Sequence, residues 1–87
     1  MYSLVYTQKA INDIPKLKPA KLDTITKNLL EILKENPYTT PPIYKKLQGK
    51  LYKAYARRIN MKHRLVYEVI EEKKIIKIIS MWTHYEV

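Results

Sequence analysis

The spacing of apolar residues changes midway along the chain. Over residues 22–33 they recur at steps of three and four, which is the spacing of one face of an α-helix. Over residues 51–59, 63–70 and 74–83 they form runs rich in Tyr, Val and Ile, separated by breaks short enough for hairpin turns. Helical spacing followed by strand-like runs predicts an α+β domain, with two N-terminal helices packed on one face of an antiparallel sheet.

The N-terminal segment adds a strand and a short helix to this prediction. Residues 2–7 alternate as in a strand, and Thr7 suits the N-cap of a helix. That helix is expected over residues 8–14, ending before Pro15, with an apolar edge formed by Ala10, Ile11 and Ile14. Residues 36–50, which contain the single glycine, are expected to be a loop. The predicted order is β-α-α-β-β-β in one domain, residues 1–87.

Composition and charge exclude several classes of protein. The 87 residues include 17 Lys and Arg, 8 Asp and Glu and no cysteine, for a net charge of +9. Without cysteine there is no disulfide framework and no thiolate metal site, and two histidines among scattered acids offer little for another metal, so no cofactor is expected. No apolar run approaches the ~20 residues of a membrane span, and no leader pattern is seen. We therefore expect a cytoplasmic protein with an anionic partner.

Positive charge is concentrated in one acid-free segment. Residues 37–67 contain eight basic residues and five tyrosines but no Asp or Glu. Cations that contact phosphate and rings that stack on unpaired bases are typical of RNA-binding surfaces. The same composition fits a solvated basic face with tyrosines half-buried in a sheet, so both interpretations remain open. The basic residues are Lys45, Lys46, Lys50, Lys53, Arg57, Arg58, Lys62 and Arg64.

All three arginines lie within eight positions of one another. A hairpin centred on Met61 would place Arg58 directly opposite Arg64 on one face of the sheet. Like charges in that arrangement are destabilising, and a fold tolerates them best where an anion lies between them. Arginine is also the side chain suited to bidentate phosphate binding. A register shifted by one residue would separate the pair, which is the alternative interpretation.

Two residues near the C-terminus are candidates for chemistry. His84 is a candidate acid–base group, because imidazole titrates near neutral pH. Tyr85 adds a ring and a hydroxyl. A single histidine in such a place is, by itself, more typical of a surface residue without a catalytic role.

The run YARRINMKHRLVYEV at residues 55–69, followed by His84 and Tyr85, resembles the YoeB/Txe toxins of the RelE superfamily. These are the toxin halves of bacterial type II toxin–antitoxin pairs. Their pattern is SRRI…HRLVY with a C-terminal HY, and here Ala56 stands where serine is usual. The resemblance implies a ribosome-dependent mRNA endonuclease that acts in the A site without a metal. It also implies a cognate acidic antitoxin as partner, and a homodimer as a further possibility.

The resemblance also implies roles for particular residues. Arg58 and Arg64 would clamp the phosphate, His84 would be the general acid, and Tyr85 would stack on or orient a base. Further RNA contacts are expected from the basic segment, at Lys46, Gln48, Lys50, Lys53 and Arg57.

One position departs from the family pattern. YoeB-like toxins carry a glutamate, the presumed general base, in a PEPLK-like loop. Counting back from the arginines without a gap places Lys45 at that position, and the family's nearby lysine falls on Gln48. Lys45 would then be the base itself, as a lysine-rich loop in the RelE branch suggests, or would only stabilise charge. No glutamate between Asn36 and Tyr67 offers a replacement.

Two other functions remain open on the sequence. A non-enzymatic toxin of the same superfamily, like the ParE proteins that poison DNA gyrase, is disfavoured by the set of Arg58, Arg64, His84 and Tyr85. A degenerate toxin, or a plain RNA-binding module, is favoured by the missing carboxylate. Ribosome-dependent cutting of mRNA would separate the endonuclease from both.

Overall fold

The computed structural model describes residues 1–49 and 53–83, and of Thr83 only the backbone. Two helices and five strands make up this part of the chain. They are β1 (Ser3–Tyr6), α1 (Gln8–Leu17), α2 (Asp23–Glu35), β2 (Tyr44–Lys46), β3 (Ala54–Arg58), β4 (Arg64–Ile70) and β5 (Ile75–Thr83), with a 3₁₀ turn at Glu71–Lys73 between the last two strands. The predicted α+β class is confirmed.

The five strands form one sheet in the order β1-β5-β4-β3-β2. The strands β2 to β5 pair antiparallel, as predicted, whereas β1 lies parallel to β5 at one edge. The prediction of a wholly antiparallel sheet is therefore wrong at that edge. The short strand β2 at the other edge lies inside the segment that was expected to be loop. No helix within residues 1–49 and 53–83 is long and apolar enough to cross a membrane.

Helix α1 continues past the residue at which it was predicted to end. Thr7 caps it as expected, since its Oγ1 accepts the backbone N–H of Ala10 at 3.1 Å. Pro15 then lies inside the helix, where it removes one backbone hydrogen bond on the exposed side. The helix nevertheless extends to Leu17, because that side chain is buried in the core. Ile11 and Ile14, predicted to face the core, are about half exposed.

Helix α2 matches the predicted segment and ends where Asn36 leaves the helical conformation. Its core contacts come from Leu29 and Leu33, and Thr26 is also buried, while Ile25 is 44% exposed. Both helices pack on the same side of the sheet, because Ala10 and Leu17 of α1 share one cluster with the α2 leucines and with apolar residues of the central strands: Leu65, Tyr67, Ile76 and Ile78.

Alternation along the strands divides the side chains between two faces. On β4, Leu65 and Tyr67 point to the helices, so Arg64 and Val66 point to the other face. We call this second surface the outer face. A smaller apolar cluster lies on the outer face. It is formed by Leu47, Ala54, Ala56 and Val66, with Ile79 packed alongside.

Candidate nucleic-acid interface

The hairpin of β3 and β4 brings two arginines together on the outer face. The strands pair with Arg58 directly opposite Arg64, and Ala56 opposite Val66. This is the register predicted for a hairpin centred on Met61, and the structure confirms it. Opposed residues in an antiparallel pair have Cβ atoms about 5 Å apart, so the two guanidinium groups extend from neighbouring points of one surface.

The two arginines differ in how firmly they are held. Arg64 is only 7% exposed, and its Nη1 donates to the carbonyl of Asn60 at 2.8 Å and to that of His63 at 3.2 Å. Asn60 also closes the turn, because its Oδ1 accepts the backbone N–H of His63 at 2.7 Å. Arg58 is exposed. The pair therefore combines an arginine that the hairpin turn holds in place with one that can reorient in solvent.

Lys45 lies on the same face, one strand further out. It pairs with Ala56 of β3, and residues opposite each other share a face. Ala56 is the residue two positions before Arg58 on that strand, so Lys45 occupies the row of the sheet next to the arginine pair. The side chain of Lys45 is exposed. Because the side chain of Ala56 is small, it does not fill the space between Lys45 and the arginine pair.

Acidic charge on this face lies at the opposite end of β4. Glu68 is four residues along the strand from Arg64, a separation of about 13 Å. Its carboxylate is 4.0 Å from the ammonium group of Lys77, which neutralises it locally. The hairpin end of the outer face is thus the cationic end, which is the electrostatic requirement for a site that binds phosphate.

The remaining predicted site residues are distributed more widely. Lys46 pairs with Tyr55 and points to the helix side of the sheet, away from Lys45. Gln48 and Lys53 are exposed on either side of the undescribed stretch that includes Lys50. His84 and Tyr85 also lie outside the described residues. They follow directly on Thr83, the last residue of β5, whose backbone pairs with Arg64.

Arg57 is not part of this surface, which corrects the prediction that it contacts RNA. It is 0% exposed and faces the helix side, opposite Leu65. Its guanidinium donates to the carbonyl oxygens of Pro37 and Thr39, both at 2.9 Å. A side chain committed to backbone carbonyls inside the protein cannot reach a phosphate on the outer face.

Of the tyrosines of the basic segment that the structure describes, Tyr67 is buried, Tyr44 and Tyr55 are half-buried, and Tyr38 is 41% exposed. Tyr55 makes edge-to-face contacts with Tyr38 and Tyr44, with ring centroids 6.3 and 5.5 Å apart. Tyr67 is fully buried beside it, and burial raises the pKa of its hydroxyl, which remains protonated. The interpretation of sheet residues that are at least half-buried therefore holds for Tyr44, Tyr55 and Tyr67, whose rings pack on the helix side.

Two features near the end of β5 were not anticipated from the sequence. Asp13 on α1 is fully buried, and its Oδ2 accepts the backbone N–H groups of Met81 and Trp82 at 2.9 and 3.2 Å. The ring of Trp82 in turn stacks on that of His63, with centroids 3.8 Å apart. The sequence does contain a signal for Asp13. Residues 10, 13 and 17 have the spacing of one helix face, and an acidic residue on an otherwise apolar face indicates a buried hydrogen-bonding role.

The fold and the outer face together define a class of protein, a small basic α+β domain whose sheet carries an opposed arginine pair at the end of its central hairpin. Comparison with protein families identifies the class more closely. The family described as the YoeB-like toxin of bacterial type II toxin–antitoxin systems matches residues 6–85. The chain belongs to this family, within the RelE superfamily, and is the toxin component of such a system.

Solved structures of toxins have the same fold. A YoeB/ParE toxin from Agrobacterium tumefaciens is 25% identical, with a TM-score of 0.85 over 95% of this chain and 99% of that one. YoeB in its complex with YefM from Staphylococcus aureus is 30% identical, with a TM-score of 0.80 over 98% and 99% of the two chains. A YoeB dimer from the same organism is 31% identical, with a TM-score of 0.80 over 97% and 98%. The comparison with curated proteins gives no match.

Proposed function

We propose that this toxin is a metal-independent endoribonuclease that enters the A site of bacterial ribosomes in the cytoplasm and cuts the mRNA there. The observation that carries the proposal is the pairing of Arg58 directly opposite Arg64 on the outer face, with Lys45 in the next row. An unpaired like-charge arrangement of this kind is destabilising in the free protein. A bound phosphate would turn it into a favourable one.

The proposed reaction is a transesterification within the RNA. The 2′-hydroxyl attacks the adjacent phosphorus and gives its proton to a water molecule, because no carboxylate stands at the position of the family's presumed base, and the bond from phosphorus to the 5′-oxygen breaks. The products are a 2′,3′-cyclic phosphate and a 5′-hydroxyl. Arg58 and Arg64 stabilise the negative charge that develops on the phosphorane, the role of preorganised donors in an oxyanion site. The immobilised Arg64 needs little rearrangement to do so.

Proton transfer to the leaving group is assigned to a residue of the HY pair. His84 donates the proton to the leaving 5′-oxygen, and Tyr85 orients the neighbouring base. The support for this is position in the chain, since both residues directly follow the strand position that pairs with Arg64. Lys45, which stands where related toxins carry a glutamate, supplies positive charge near the 2′-oxygen. Lys46, Gln48, Lys50 and Lys53 contribute longer-range attraction to the RNA backbone.

The partners follow from the relatives. YoeB from Staphylococcus aureus is found in complex with YefM and also as a dimer. We propose that an acidic antitoxin binds this chain in the same way, as its net charge of +9 favours, and that a homodimer forms in its absence.

A toeprint of translating ribosomes tests the activity. The purified toxin is expected to produce a new 5′ end within the A-site codon, where primer extension stops, and the same RNA without ribosomes should stay intact. The 3′ fragment should accept phosphate from polynucleotide kinase, because its 5′ end is a hydroxyl. His84→Gln should cut about 10²–10⁴ times more slowly, the contribution of a placed acid.

The possible failures are distinct. Growth arrest with inhibited gyrase and intact mRNA would support a ParE-like function. Ribosome binding without cleavage would identify a degenerate toxin.

A further inference from the structure

The largest fully buried side chain among the described residues is a cation. Arg57 lies on β3 at 0% exposure, on the helix side of the sheet. Burying a guanidinium ion is costly unless its donors are satisfied and its charge is compensated. Within residues 1–49 and 53–83 no carboxylate forms an ion pair with Arg57. Its environment must therefore compensate the charge by dipoles.

Those dipoles come from one short segment that precedes β2. The guanidinium donates to three carbonyl oxygens in it, those of Pro37 and Thr39 at 2.9 Å and that of Pro42. Its Nε donates to the hydroxyl of Tyr67 at 3.0 Å, and that hydroxyl donates to the Pro37 carbonyl at 3.2 Å. The ring of Tyr44, the first residue of β2, lies 4.8 Å from the guanidinium carbon.

Side-chain contacts of Tyr38, with Glu71 and with the ring of Tyr55, also hold this segment, but its backbone makes little use of the sheet. Three prolines, at positions 37, 41 and 42, have no N–H to donate to a neighbouring strand. The strand that follows is only three residues long and lies at the edge of the sheet, with β3 as its neighbour. An edge strand of that length has little stability of its own. The fork of Arg57 supplies donors that bind residues 37–42 to the body of the protein.

The position of Lys45 depends on this segment. Tyr44 pairs with Arg57 itself, and Lys45 pairs with the next residue, Ala56. We infer that Arg57 is a positioning residue. It anchors residues 37–44 to the helix side of the sheet and thereby sets where Lys45 stands on the outer face beside Arg58 and Arg64. Adjacent arginines of β3 thus lie on opposite faces of the sheet. Arg57 holds the segment before β2, and Arg58 is free to contact the phosphate. The catalytic consequence rests on the proposed function, whereas the anchoring does not.

Amide hydrogen exchange tests the anchoring without any assay of activity. The backbone N–H of Leu47 donates to the Ala54 carbonyl at 2.8 Å and reports whether the end of β2 is attached to β3. Arg57→Lys keeps the charge but loses the planar fork. We expect Leu47 to exchange at least about tenfold faster in this variant, while the N–H of Met81, held by Asp13, stays protected.

Arg58→Lys is the matched control for exchange, since it makes the same substitution at the neighbouring position on the other face. It should leave the Leu47 amide protected. If Arg57→Lys also exposes Met81, the whole fold is loosened, and Tyr67→Phe replaces it as the test. That variant removes one hydroxyl of the anchor and should accelerate exchange at Leu47 selectively. Unchanged protection of Leu47 in a folded Arg57→Lys or Tyr67→Phe protein would overturn the inference.

A double-mutant cycle tests the link to Lys45. Single-turnover cleavage on ribosomes is measured for Arg57→Lys, Lys45→Ala and the double variant. If Arg57 acts through Lys45, the double variant should be no slower than the slower single variant, within about twofold. Two losses of about 10²-fold each that multiplied to about 10⁴ would show independent roles and contradict the link. A parent protein that does not cut at all would refute the proposed function, and the exchange result would still stand.

Discussion

The carboxylate of Asp13 accepts the backbone N–H of Met81 at 2.9 Å, and so joins helix α1 to strand β5 near its C-terminal end. β1 runs beside β5 only as far as Tyr6, which pairs with Ile78. Beyond that point the chain turns into α1, and the edge of β5 would have no acceptor there. The Asp13 carboxylate supplies this acceptor, in the place that a backbone carbonyl would take if β1 continued. The stretch that leads to His84 is thereby held in place.

Asp13→Ala should destabilise the protein by about 3 kcal/mol, because the backbone N–H groups of Met81 and Trp82 lose their acceptor in the interior. Asp13→Asn keeps a side-chain oxygen and should cost about 1 kcal/mol. Urea unfolding at neutral pH measures both. Asn12→Ala, at an exposed position of the same helix, is the control and should change the free energy of unfolding by less than either.

The contribution of Asp13 should depend on pH in a defined direction. Burial acts to raise the pKa of this carboxyl, but hydrogen bonds from Lys9 and from the N–H of Met81 outweigh it, so the pKa is lowered. The stabilisation is then complete above the unfolded-state pKa of about 3.9 and is lost as the pH falls below it. An Asp13→Ala effect that grew smaller toward neutral pH would contradict this assignment.

Arg58→Ala and Arg64→Ala should each lower single-turnover cleavage by about 10²–10³, as expected for loss of a preorganised donor to a developing charge. Arg58→Ala should do so without loss of stability, since it removes one member of a like-charge pair. Lys62→Ala removes an exposed cation from the same hairpin turn and should cut at close to the parent rate. If neither arginine variant is slower than Lys62→Ala, the outer face is not the phosphate site.

Two substitutions at Lys45 separate its charge from the role of a base. Lys45→Gln should lower the single-turnover rate by about 10², through loss of a cation beside the phosphate. Lys45→Glu should equal or exceed the parent rate, because it places a carboxylate where related toxins carry their presumed general base. A Glu variant slower than the Gln variant would mean that positive charge at this position is required.

Binding of a labelled single-stranded RNA should weaken steeply with salt. With four to six phosphate contacts, log K against log salt should have a slope of roughly −3 to −4, at about 0.7 per contact. Arg58→Ala should make the slope shallower by about 0.7, whereas Lys27→Ala, on the exposed side of α2, should leave it unchanged. A flat response in the parent protein would show that the basic segment faces something other than phosphate.

Glu71 should titrate at unusually low pH. Its carboxylate accepts hydrogen bonds from Lys74, from the hydroxyl of Tyr38 at 2.7 Å and from that of Tyr2 at 2.8 Å, and these lower its pKa to about 2. Its contribution to stability is therefore present above an unfolded pKa of about 4.3 and is lost as the pH falls through 2.

A carbon-13 titration of the Glu71 carboxyl measures this pKa directly. Lys74→Met should raise it more than Tyr38→Phe does, because the bond from Lys74 lowers it most. A midpoint near the ordinary glutamate value in the parent protein would show that these three bonds do not form in solution.

The sequence by itself determined the features that depend on neighbours along the chain. Helix α2 follows from the apolar spacing over residues 22–33, and it ends where the predicted loop begins, at Asn36. The short break at residues 60–62 predicted the hairpin that opposes Arg58 and Arg64, although the structure was needed to decide between that register and one shifted by a residue. The motif around these arginines also indicated the toxin family, which the family comparison confirmed.

Only the tertiary structure decided which residues lie inside. Burial of Leu17 carried α1 through Pro15, and the free edge of β5 gave Asp13 its place in the core. Nothing in the sequence distinguishes the two adjacent arginines of the motif. The alternation of side chains along β3 places Arg58 on the outer face and Arg57 in the interior, where it donates to carbonyls 15 to 20 residues away in the chain. Such partners are set by where distant segments pack, and local propensity carries no information about them.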